Sequence, residues 1–440
     1  MLSILADRIY RHLFLAQVVA LLGTGLATVA LGLLAYDLAG GDAGLVLGMI
    51  FTIKMVAYVG IAPIAGAFAD RYPRRALLVT LDLVRAGVAL VLPFVTEVWQ
   101  VYVLIFLLQS ASAAFTPTFQ ATIPDVLPEE DRYTRALSLS RLAYDLENIV
   151  SPVLAGLLLA VLSYNALFLG TVVGFLASAV LVVSVLLPSP TPSEPRGIYD
   201  RSTRGIRIYL ATPRLRGLLA LNLAAAAGGA MVLVNTVVLV RGELGLPESS
   251  LAWTMSAFGG GSVLAALALP KLLDRVPDRP VMLAGATTLT SALLLLAVFI
   301  LKFGLSSPLL LAAWLVAGAG YSAVLTPSGR LLKRSAHPED RPAIFAAQFA
   351  LSHACWLITY PLAGVLMPMA GASFALLGLA LLSALGIAAA VRLWPAHDPE
   401  VISHRHDDLP ADHPHLVEHG GGRVHAHAAV IDALHRKWPG

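Results

Sequence analysis

Long apolar runs alternate with short charged connections along most of the chain. Twelve of these runs approach the roughly 20 residues that a helix needs to cross the hydrocarbon core of a membrane. The first six cover 13–38, 44–68, 76–95, 99–122, 137–162 and 165–187, and the second six cover 216–241, 249–273, 280–302, 306–329, 343–369 and 372–393. The pattern predicts an all-α membrane protein with twelve transmembrane helices.

The runs also divide the chain. We predict an N-terminal six-helix half at 1–187, a polar linker at 188–215, a C-terminal six-helix half at 216–393 and a histidine-rich tail at 394–440. The first run is longer than a signal peptide and no small-residue cleavage site follows it, so we expect it to remain in the protein.

Composition supports a membrane location. Of the 440 residues, 58% are hydrophobic and only 13% are charged, and the mean hydropathy is +0.78. A water-soluble protein of this size would need more polar surface. The net charge of +3 comes from short basic loops and does not indicate a nucleic-acid partner. The sequence has no nucleophile motif, so we predict that the protein is not an enzyme. It also has no phosphate-binding loop, so movement of a solute across the membrane would be driven by an ion gradient and not directly by ATP.

The basic residues predict the orientation of the chain, because Lys and Arg favour cytoplasmic loops. Those in alternate connections are Arg71, Arg74, Arg75, Arg132, Arg135, Arg196, Arg201, Arg204, Arg207, Arg214, Lys271, Arg275, Arg279, Lys333, Arg334 and Arg341. The connections on the other side hold only Arg241 and Lys302. Both termini and the linker are therefore predicted to be cytoplasmic.

An internal repeat relates the two halves. The segment 66–75, with the order Asp-Arg-x-Pro-x-Arg, has a near copy at 270–279. Three further matches, at 112–117, 128–132 and 151–156, keep the same order in the second half with offsets of up to 210 residues. Each match falls on the same numbered helix or loop, so the halves share one topology, related by an axis along the membrane normal.

These features resemble the major facilitator superfamily over residues 1–393. The family signature G-x-x-x-D-R-x-x-R-R is matched by Gly66, Asp70, Arg71, Arg74 and Arg75. The segment 121–128 resembles exporters of the enterobactin type, and the histidine-rich tail resembles nickel and cobalt resistance transporters. The resemblance implies a monomeric rocker-switch carrier in the bacterial inner membrane, with protons as the coupling ion and no required cofactor.

The signature predicts a gate. Asp70 lies one helical turn after Gly66, which places a carboxylate at the end of the second span beside a position where another helix can approach closely. Such a carboxylate can pair with arginines across the interface between the halves. Asp274, Arg275 and Arg279 are predicted to have the same gating roles in the second half, although Pro270 replaces the close-packing glycine.

Ionisable groups within spans are costly and mark functional sites. The candidates for coupling or for the substrate cavity are Lys54, Asp145, Glu147, Pro152 and His353. Glu147 is the preferred proton carrier, because Arg141 can neutralise Asp145. Pro152 removes a backbone hydrogen bond and can kink the fifth span.

Two further pairs of polar residues lie within spans. Asp82 and Arg85 share a helix face and are interpreted as a structural ion pair. His353 and Cys355 are two residues apart on a helix, so their side chains point in nearly opposite directions and cannot both bind one metal ion.

The tail contains nine of the twelve histidines. Residues two apart in an extended segment face the same way, so a His-x-His pair can offer two imidazoles to one metal ion. The pairs are His404 with His406, His413 with His415, and His425 with His427. We predict weak binding of Ni, Co or Zn; a pH-responsive tail and a docking tail without metal are the alternatives. Removing the tail is expected to spare the fold.

The sequence therefore predicts a proton-coupled exporter, with divalent transition metals as the first choice of substrate. Efflux of an organic molecule such as a drug or siderophore is the alternative, and a non-transporting membrane receptor is a further one.

Overall fold

The computed structural model describes residues 2–69, 73–188, 198–336, 341–398 and 401–405, together with 410, 416–417, 423–428, 430–431, 435 and 438 in the tail. The helices of the first half are α1 (Arg8–Ala39), α2 (Ala43–Ala69), α3 (Arg74–Val91), α4 (Val98–Val126), α5 (Glu130–Leu159) and α6 (Asn165–Val183). A short 3-10 helix, Leu2–Ala6, precedes them.

The second half begins with α7 (Ile198–Ala211), which lies in the predicted linker. It continues with α8 (Pro213–Val237), α9 (Glu248–Leu273), α10 (Asp278–Phe303), α11 (Ser307–Leu325), α12 (Ser328–Arg334) and α13 (Arg341–Leu393). A π-helical turn, Val238–Glu243, extends α8. Two strands in the tail, β1 (Val401–Arg405) and β2 (Val424–Ala428), pair in antiparallel fashion.

The twelve-span prediction is confirmed. Within the described residues, nine apolar helical stretches are long enough to cross a membrane. Two of these, Arg8–Ile61 and Ala347–Leu393, each contain two helices, separated at Gly40 and at Gly371. Adding α5, whose described apolar part is Val150–Leu159, gives twelve. Gly371 has φ +78°, a conformation that other residues rarely adopt, so it can end one span and begin the next.

Local sequence determines where several helices begin. Asp7 precedes α1, and its carboxylate accepts a hydrogen bond from the Tyr10 backbone N–H at 3.0 Å. Before α4, Glu97 and Gln100 form a reciprocal capping box.

Since twelve spans alternate in direction, the N-terminus, α7 and the tail share one side of the molecule, which we call the terminal side. The other is the opposite side.

The described part of the linker, from residue 198 onwards, is mostly helical. α7 is amphipathic: Ile208 and Tyr209 are buried, while Arg204 and Arg207 are exposed. The Tyr209 hydroxyl donates a hydrogen bond to Gln348 of α13, and burial raises the pKa of this phenol above its usual value. The hydroxyl therefore remains a donor at physiological pH, and α7 is attached to the second half.

Candidate functional site between the halves

The buried core shows which side of the molecule is closed. On the opposite side, one continuous cluster joins buried residues of α1 and α2 to those of α8 and α13. On the terminal side, the described buried residues form two separate clusters, one centred on Tyr10 and Phe119 in the first half and one on Leu218 and Ile344 in the second. Among the residues that the structure describes, the two halves therefore share a core only on the opposite side.

We call this contact between the halves the seam, formed by α2 against α13 and α5 against α9. Glycines bring the backbones together there. A Cβ added at Gly48 would lie 2.8 Å from the Tyr360 carbonyl oxygen, and one added at Gly364 would lie 2.9 Å from the Gly44 carbonyl oxygen. On the other flank, a Cβ added at Gly156 of α5 would lie 3.3 Å from a side chain of α9. Side chains larger than hydrogen do not fit where Gly48 meets Gly364 unless the helices separate.

Aromatic rings continue the seam towards the terminal side. Phe51 of α2 stacks on Tyr360 of α13 with ring centroids 4.9 Å apart. Two turns further along α2, the Tyr58 ring lies parallel to the His353 imidazole at 5.6 Å. The Lys54 ammonium is 5.9 Å from the centre of the Tyr58 ring. The structure therefore brings two predicted cavity residues, Lys54 and His353, to the same stretch of the interface.

The His353 and Cys355 prediction is confirmed, because the two side chains face different helices. His353 faces Tyr58 of α2, and its Nδ1 lies 2.7 Å from the Phe349 carbonyl oxygen. Cys355 is buried, and its Sγ lies 3.9 Å from the Leu219 carbonyl oxygen of α8. The two groups do not form one metal site.

A second group of rings lies inside the second half. We call Phe258, Tyr321, Trp356 and Tyr360 the aromatic cluster; they come from α9, α11 and α13. The Phe258 and Tyr321 rings are 5.4 Å apart, and Trp356 lies 6.4 Å from Tyr321 and 4.9 Å from Tyr360. Except for Tyr360 the rings are half-buried. Trp356 packs on α8, where its ring lies against Gly229 and leaves no room for a Cβ.

Sequence reasoning missed the aromatic cluster, although a signal was present. Phe349, His353, Trp356 and Tyr360 follow one another at spacings of four, three and four residues, which places all four rings on one helix face. The contacts of these rings with Phe258 and with α2 depend on how the helices pack, so the spacing of residues along one helix does not predict them.

The signature residues are only partly described. Gly66 lies in α2, whereas Asp70 and Arg71 lie outside the described residues. Arg74 forms an ion pair with Asp125 at the end of α4, with Nη1 and Oδ2 2.8 Å apart. Arg75 donates a hydrogen bond to the Val183 carbonyl at the end of α6. Both arginines thus join helices within the first half.

The second half repeats these contacts with one difference. Arg279 donates to the Trp394 carbonyl at 2.9 Å, as Arg75 does at the equivalent helix end. At the start of α10, however, the acid is Asp278 and its partner is Arg330 of α12, with Nη2 and Oδ1 2.6 Å apart. The ion pair at the start of the third helix therefore has reversed polarity in the two halves. Sequence reasoning assigned no role to Asp125, Asp278 or Arg330.

Asp274 and Arg275 are exposed on the terminal side. Among the described residues, neither side chain has an ion pair or side-chain hydrogen bond. The gating roles remain predictions.

The remaining span candidates differ in what can be stated. Pro152 is buried within α5. The side chains of Asp145 and Glu147 lie outside the described part of the chain. Asp82 and Arg85 do form the predicted pair: Ser178 donates to Asp82 at 2.7 Å, and the Arg85 guanidinium lies 4.0 Å from the centre of the Phe115 ring.

The described residues of the tail include two paired strands. β1 and β2 pair with His404 opposite His425 and Ile402 opposite His427. His425 is buried. The side chains of His404 and His427, and all of His406, His413 and His415, lie outside the described residues. Within the described residues, no group of three or more potential metal ligands is present.

The tail also contacts the terminal side of the second half. Asp398 pairs with Arg334 at 2.8 Å and with Arg214 at 3.8 Å, and it accepts a hydrogen bond from the Trp394 indole at 3.1 Å. The Arg214 guanidinium lies 4.7 Å from the centre of the Trp438 ring and is almost fully buried. The buried Arg214 charge depends on these partners in the tail. Removing the tail is therefore expected to destabilise the second half, contrary to the expectation that the fold would be spared.

Comparison with known proteins identifies the family. The model of the family described as Major Facilitator Superfamily matches residues 13–232 and 218–414. The chain belongs to this superfamily. It is a multi-pass membrane transporter, and the fold predicted from the repeat is confirmed.

Individual relatives agree with this assignment. An uncharacterized transporter of this superfamily, YfiS of Bacillus subtilis (strain 168), is 25% identical over 83% of this chain and 88% of its own length. Macrolide efflux protein A of Streptococcus pyogenes is 30% identical over 33% of this chain and 36% of its own length. A bacterial homolog of the human lysosomal transporter Spinster, solved in an inward-facing and occupied conformation, superposes with a TM-score of 0.69 over 88% of this chain and 96% of that one, at 12% identity. That likeness concerns the fold alone.

Proposed function

We propose that this superfamily member exports an organic molecule of the drug or siderophore type across the bacterial inner membrane. The observation that carries the proposal is the aromatic cluster, in which half-buried rings from three helices meet beside the seam. Rings in such a position bind apolar and aromatic solutes by stacking and by burial of apolar area. Macrolide efflux protein A, to which part of the chain is similar, is an efflux protein by name, which also supports export.

The orientation follows from the basic loops. With the terminal side in the cytoplasm, as the arginine distribution predicts, this conformation is closed to the outside and separated towards the cytoplasm. Substrate would then enter from the cytoplasm, and transport would require the seam to open. The termini, the linker at 188–215 and the tail at 394–440 would all be cytoplasmic, and we expect one chain to be sufficient.

Metal efflux is the second candidate, and the enterobactin-type and nickel or cobalt branches both remain proposals. The backbone register that pairs His404 with His425 supports the proposal of metal binding by the tail. Lys54 would repel a divalent cation in the cavity unless Glu147 or Asp37 neutralises it. Tail binding of Ni, Co or Zn would weaken below about pH 6.5, where imidazole becomes protonated.

Proton coupling is proposed for Glu147, with Asp145 and His353 as alternatives. A carboxylate in a low-dielectric cavity can exchange protons near neutral pH. Glu147→Gln should abolish the pH dependence of transport. An unchanged pH profile would transfer the role to another group. Likewise, Asp70→Asn should leave insertion intact and slow transport if Asp70 is a gate latch; transport at the normal rate would refute the latch.

A growth test separates the two substrate classes. An efflux-deficient bacterial host would express the protein, the variant Trp356→Leu, and the matched control Trp99→Leu, whose indole is 62% exposed at the start of α4. The strains would be compared across panels of organic toxicants and of Ni, Co and Zn salts.

We expect protection against organic compounds, and we expect Trp356→Leu to reduce it at least about tenfold while the control does not. Removing a ring that stacks on the substrate and covers apolar area costs roughly 1.4 kcal/mol or more, which corresponds to a factor of ten in affinity. Protection against metals alone, unaffected by Trp356→Leu, would refute the proposal.

A further inference from the structure

One contact between the halves lies beyond the glycines, at the edge of the opposite side. Tyr36 is near the end of α1 in the first half, and Arg241 lies in the π-helical turn that extends α8 in the second half. The guanidinium carbon of Arg241 is 5.6 Å from the centre of the Tyr36 ring. This distance is within the roughly 6 Å range of a cation–π interaction. The contact therefore bridges the two halves.

The local backbone holds Arg241 in this position. Its Nη1 donates a hydrogen bond to the Leu246 carbonyl at 2.8 Å, and the Leu246 backbone N–H donates to the Val240 carbonyl at 3.0 Å. The turn between them requires Gly245, which has φ +61°. A π-helical turn is rare and often occurs at functional positions. The guanidinium is thus oriented by its own half before it meets the ring of the other.

Tyr36 also lies directly against this turn. A Cβ added at Gly242 would be 3.6 Å from Cε2 of the ring, an ordinary contact distance, so the ring lies one methyl group away from the backbone of the turn. Arg241 is one of the two basic residues, with Lys302, in the connections of the opposite side. Lys302 is exposed at the end of α10.

Neighbouring groups place further charge at this edge. Beside Tyr36, the Asp37 carboxylate lies near Tyr164, which is in the turn between α5 and α6. Burial raises the pKa of the Tyr164 phenol, and the nearby carboxylates of Asp37 and Glu248 raise it further, so the phenol stays protonated. The edge of the seam therefore contains groups from both halves.

We propose that Arg241 and Tyr36 are positioning residues that hold the opposite side closed and separate each time the transporter opens to that side. The inference rests on the alternating opening proposed above and is independent of the substrate. A contact present in only one of two conformations shifts their equilibrium by its full free energy. A cation–π interaction of this kind corresponds to a shift of about 2- to 30-fold.

The test measures the distance between the halves in purified full-length protein. In a Cys355→Ser background, spin labels would be attached through Val161→Cys and Phe303→Cys, two positions on the opposite side that are 80% and 77% exposed. Pulsed electron–electron double resonance in lipid nanodiscs then measures the distance between the two labels. The fraction of molecules with the longer distance is the fraction that is open on the opposite side. No substrate is needed, so a wrong substrate class does not affect the result.

A set of variants with one control decides the outcome. Arg241→Gln and Tyr36→Leu should each raise the ratio of open to closed molecules about 2- to 30-fold, and their combination should add little, because both remove the same contact. Tyr36→Phe keeps the ring and should behave like the parent protein. Arg241→Lys keeps the charge and should give an intermediate ratio. Lys302→Gln is the matched control and should change nothing.

Two results would overturn the proposal. The first is a distance distribution for Arg241→Gln that is identical to that of Lys302→Gln. The second is an equal opening in Tyr36→Phe and Tyr36→Leu, which would assign the effect to the hydroxyl group. If Arg241→Gln does not fold, the comparison of Tyr36→Phe with Tyr36→Leu still decides between the ring and the hydroxyl.

Discussion

Gly48 is the position where a single added carbon should change the conformation of the transporter. In Gly48→Ala, the Cβ would lie 2.8 Å from the Tyr360 carbonyl oxygen and 2.9 Å from the Gly364 Cα. Ordinary contacts begin at 3.4 Å, so the first distance is short by 0.6 Å (3.4 minus 2.8). Both neighbouring atoms belong to the backbone, and no side-chain rotation can relieve the overlap. The helices α2 and α13 must therefore separate.

The cost follows from the behaviour of overpacked cores. Inserting a methyl group into a well-packed contact costs about 1–3 kcal/mol. The conformation in which the seam has opened does not bear this cost, because the two backbones are then apart. The ratio of open to closed molecules should consequently rise about 5- to 150-fold, at about 1.4 kcal/mol per tenfold.

Thiol labelling measures this ratio. Cys355 is the single cysteine of the chain, so Cys355→Ser gives a background free of thiols. Val238→Cys then serves as the reporter, because Val238 is only 6% exposed and lies beside Gly44 in the seam. Labelling of the closed state is slow, and the rate rises in proportion to the open fraction. We expect the reaction to be at least about fivefold faster in Gly48→Ala, the lower end of the shift in the open ratio.

The control lies on the same helix. A Cβ added at Gly60 of α2 would meet nothing within 4 Å, so Gly60→Ala should label like the parent protein. If the folded Gly48→Ala protein labels within twofold of this control, the backbone contact does not limit opening and the reasoning is refuted. Gly364→Ala tests the same contact from the other half, should Gly48→Ala not fold.

Three further predictions concern ion pairs. Asp82→Asn removes the carboxylate that neutralises buried Arg85 and should lower the free energy of unfolding by about 3–5 kcal/mol, seen as a lower melting temperature in detergent; an unchanged melting temperature would contradict this. Arg74→Asp should lower the free energy of unfolding, and adding Asp125→Arg should restore it, because the second half already has an ion pair of this reversed polarity between Asp278 and Arg330. A double-mutant cycle should give a coupling energy of about 1 kcal/mol. Asp398→Asn should speed proteolytic removal of the tail and lower the melting temperature, whereas equal proteolysis rates would show that Asp398 does not hold the tail.

Much of the fold could be predicted from the sequence. Helical spans and their number follow from the length of apolar runs, which is a local property: a polar backbone in lipid must form its hydrogen bonds within one segment. The pairing of Asp82 with Arg85 and the divergence of His353 and Cys355 were also predictable, since residues on one helix have fixed relative directions.

The site needed the tertiary structure, because its contacts join residues far apart in the chain. The contact of Gly48 with Gly364, the stacking of Tyr58 on His353 and the approach of Arg241 to Tyr36 all depend on how the two halves are docked, and small changes in helix position alter them. Local periodicity carries no information about that docking. Nor does it show which side of the molecule is closed, since one sequence must pack in both conformations of a transporter, and only the arrangement of the shared core distinguishes them.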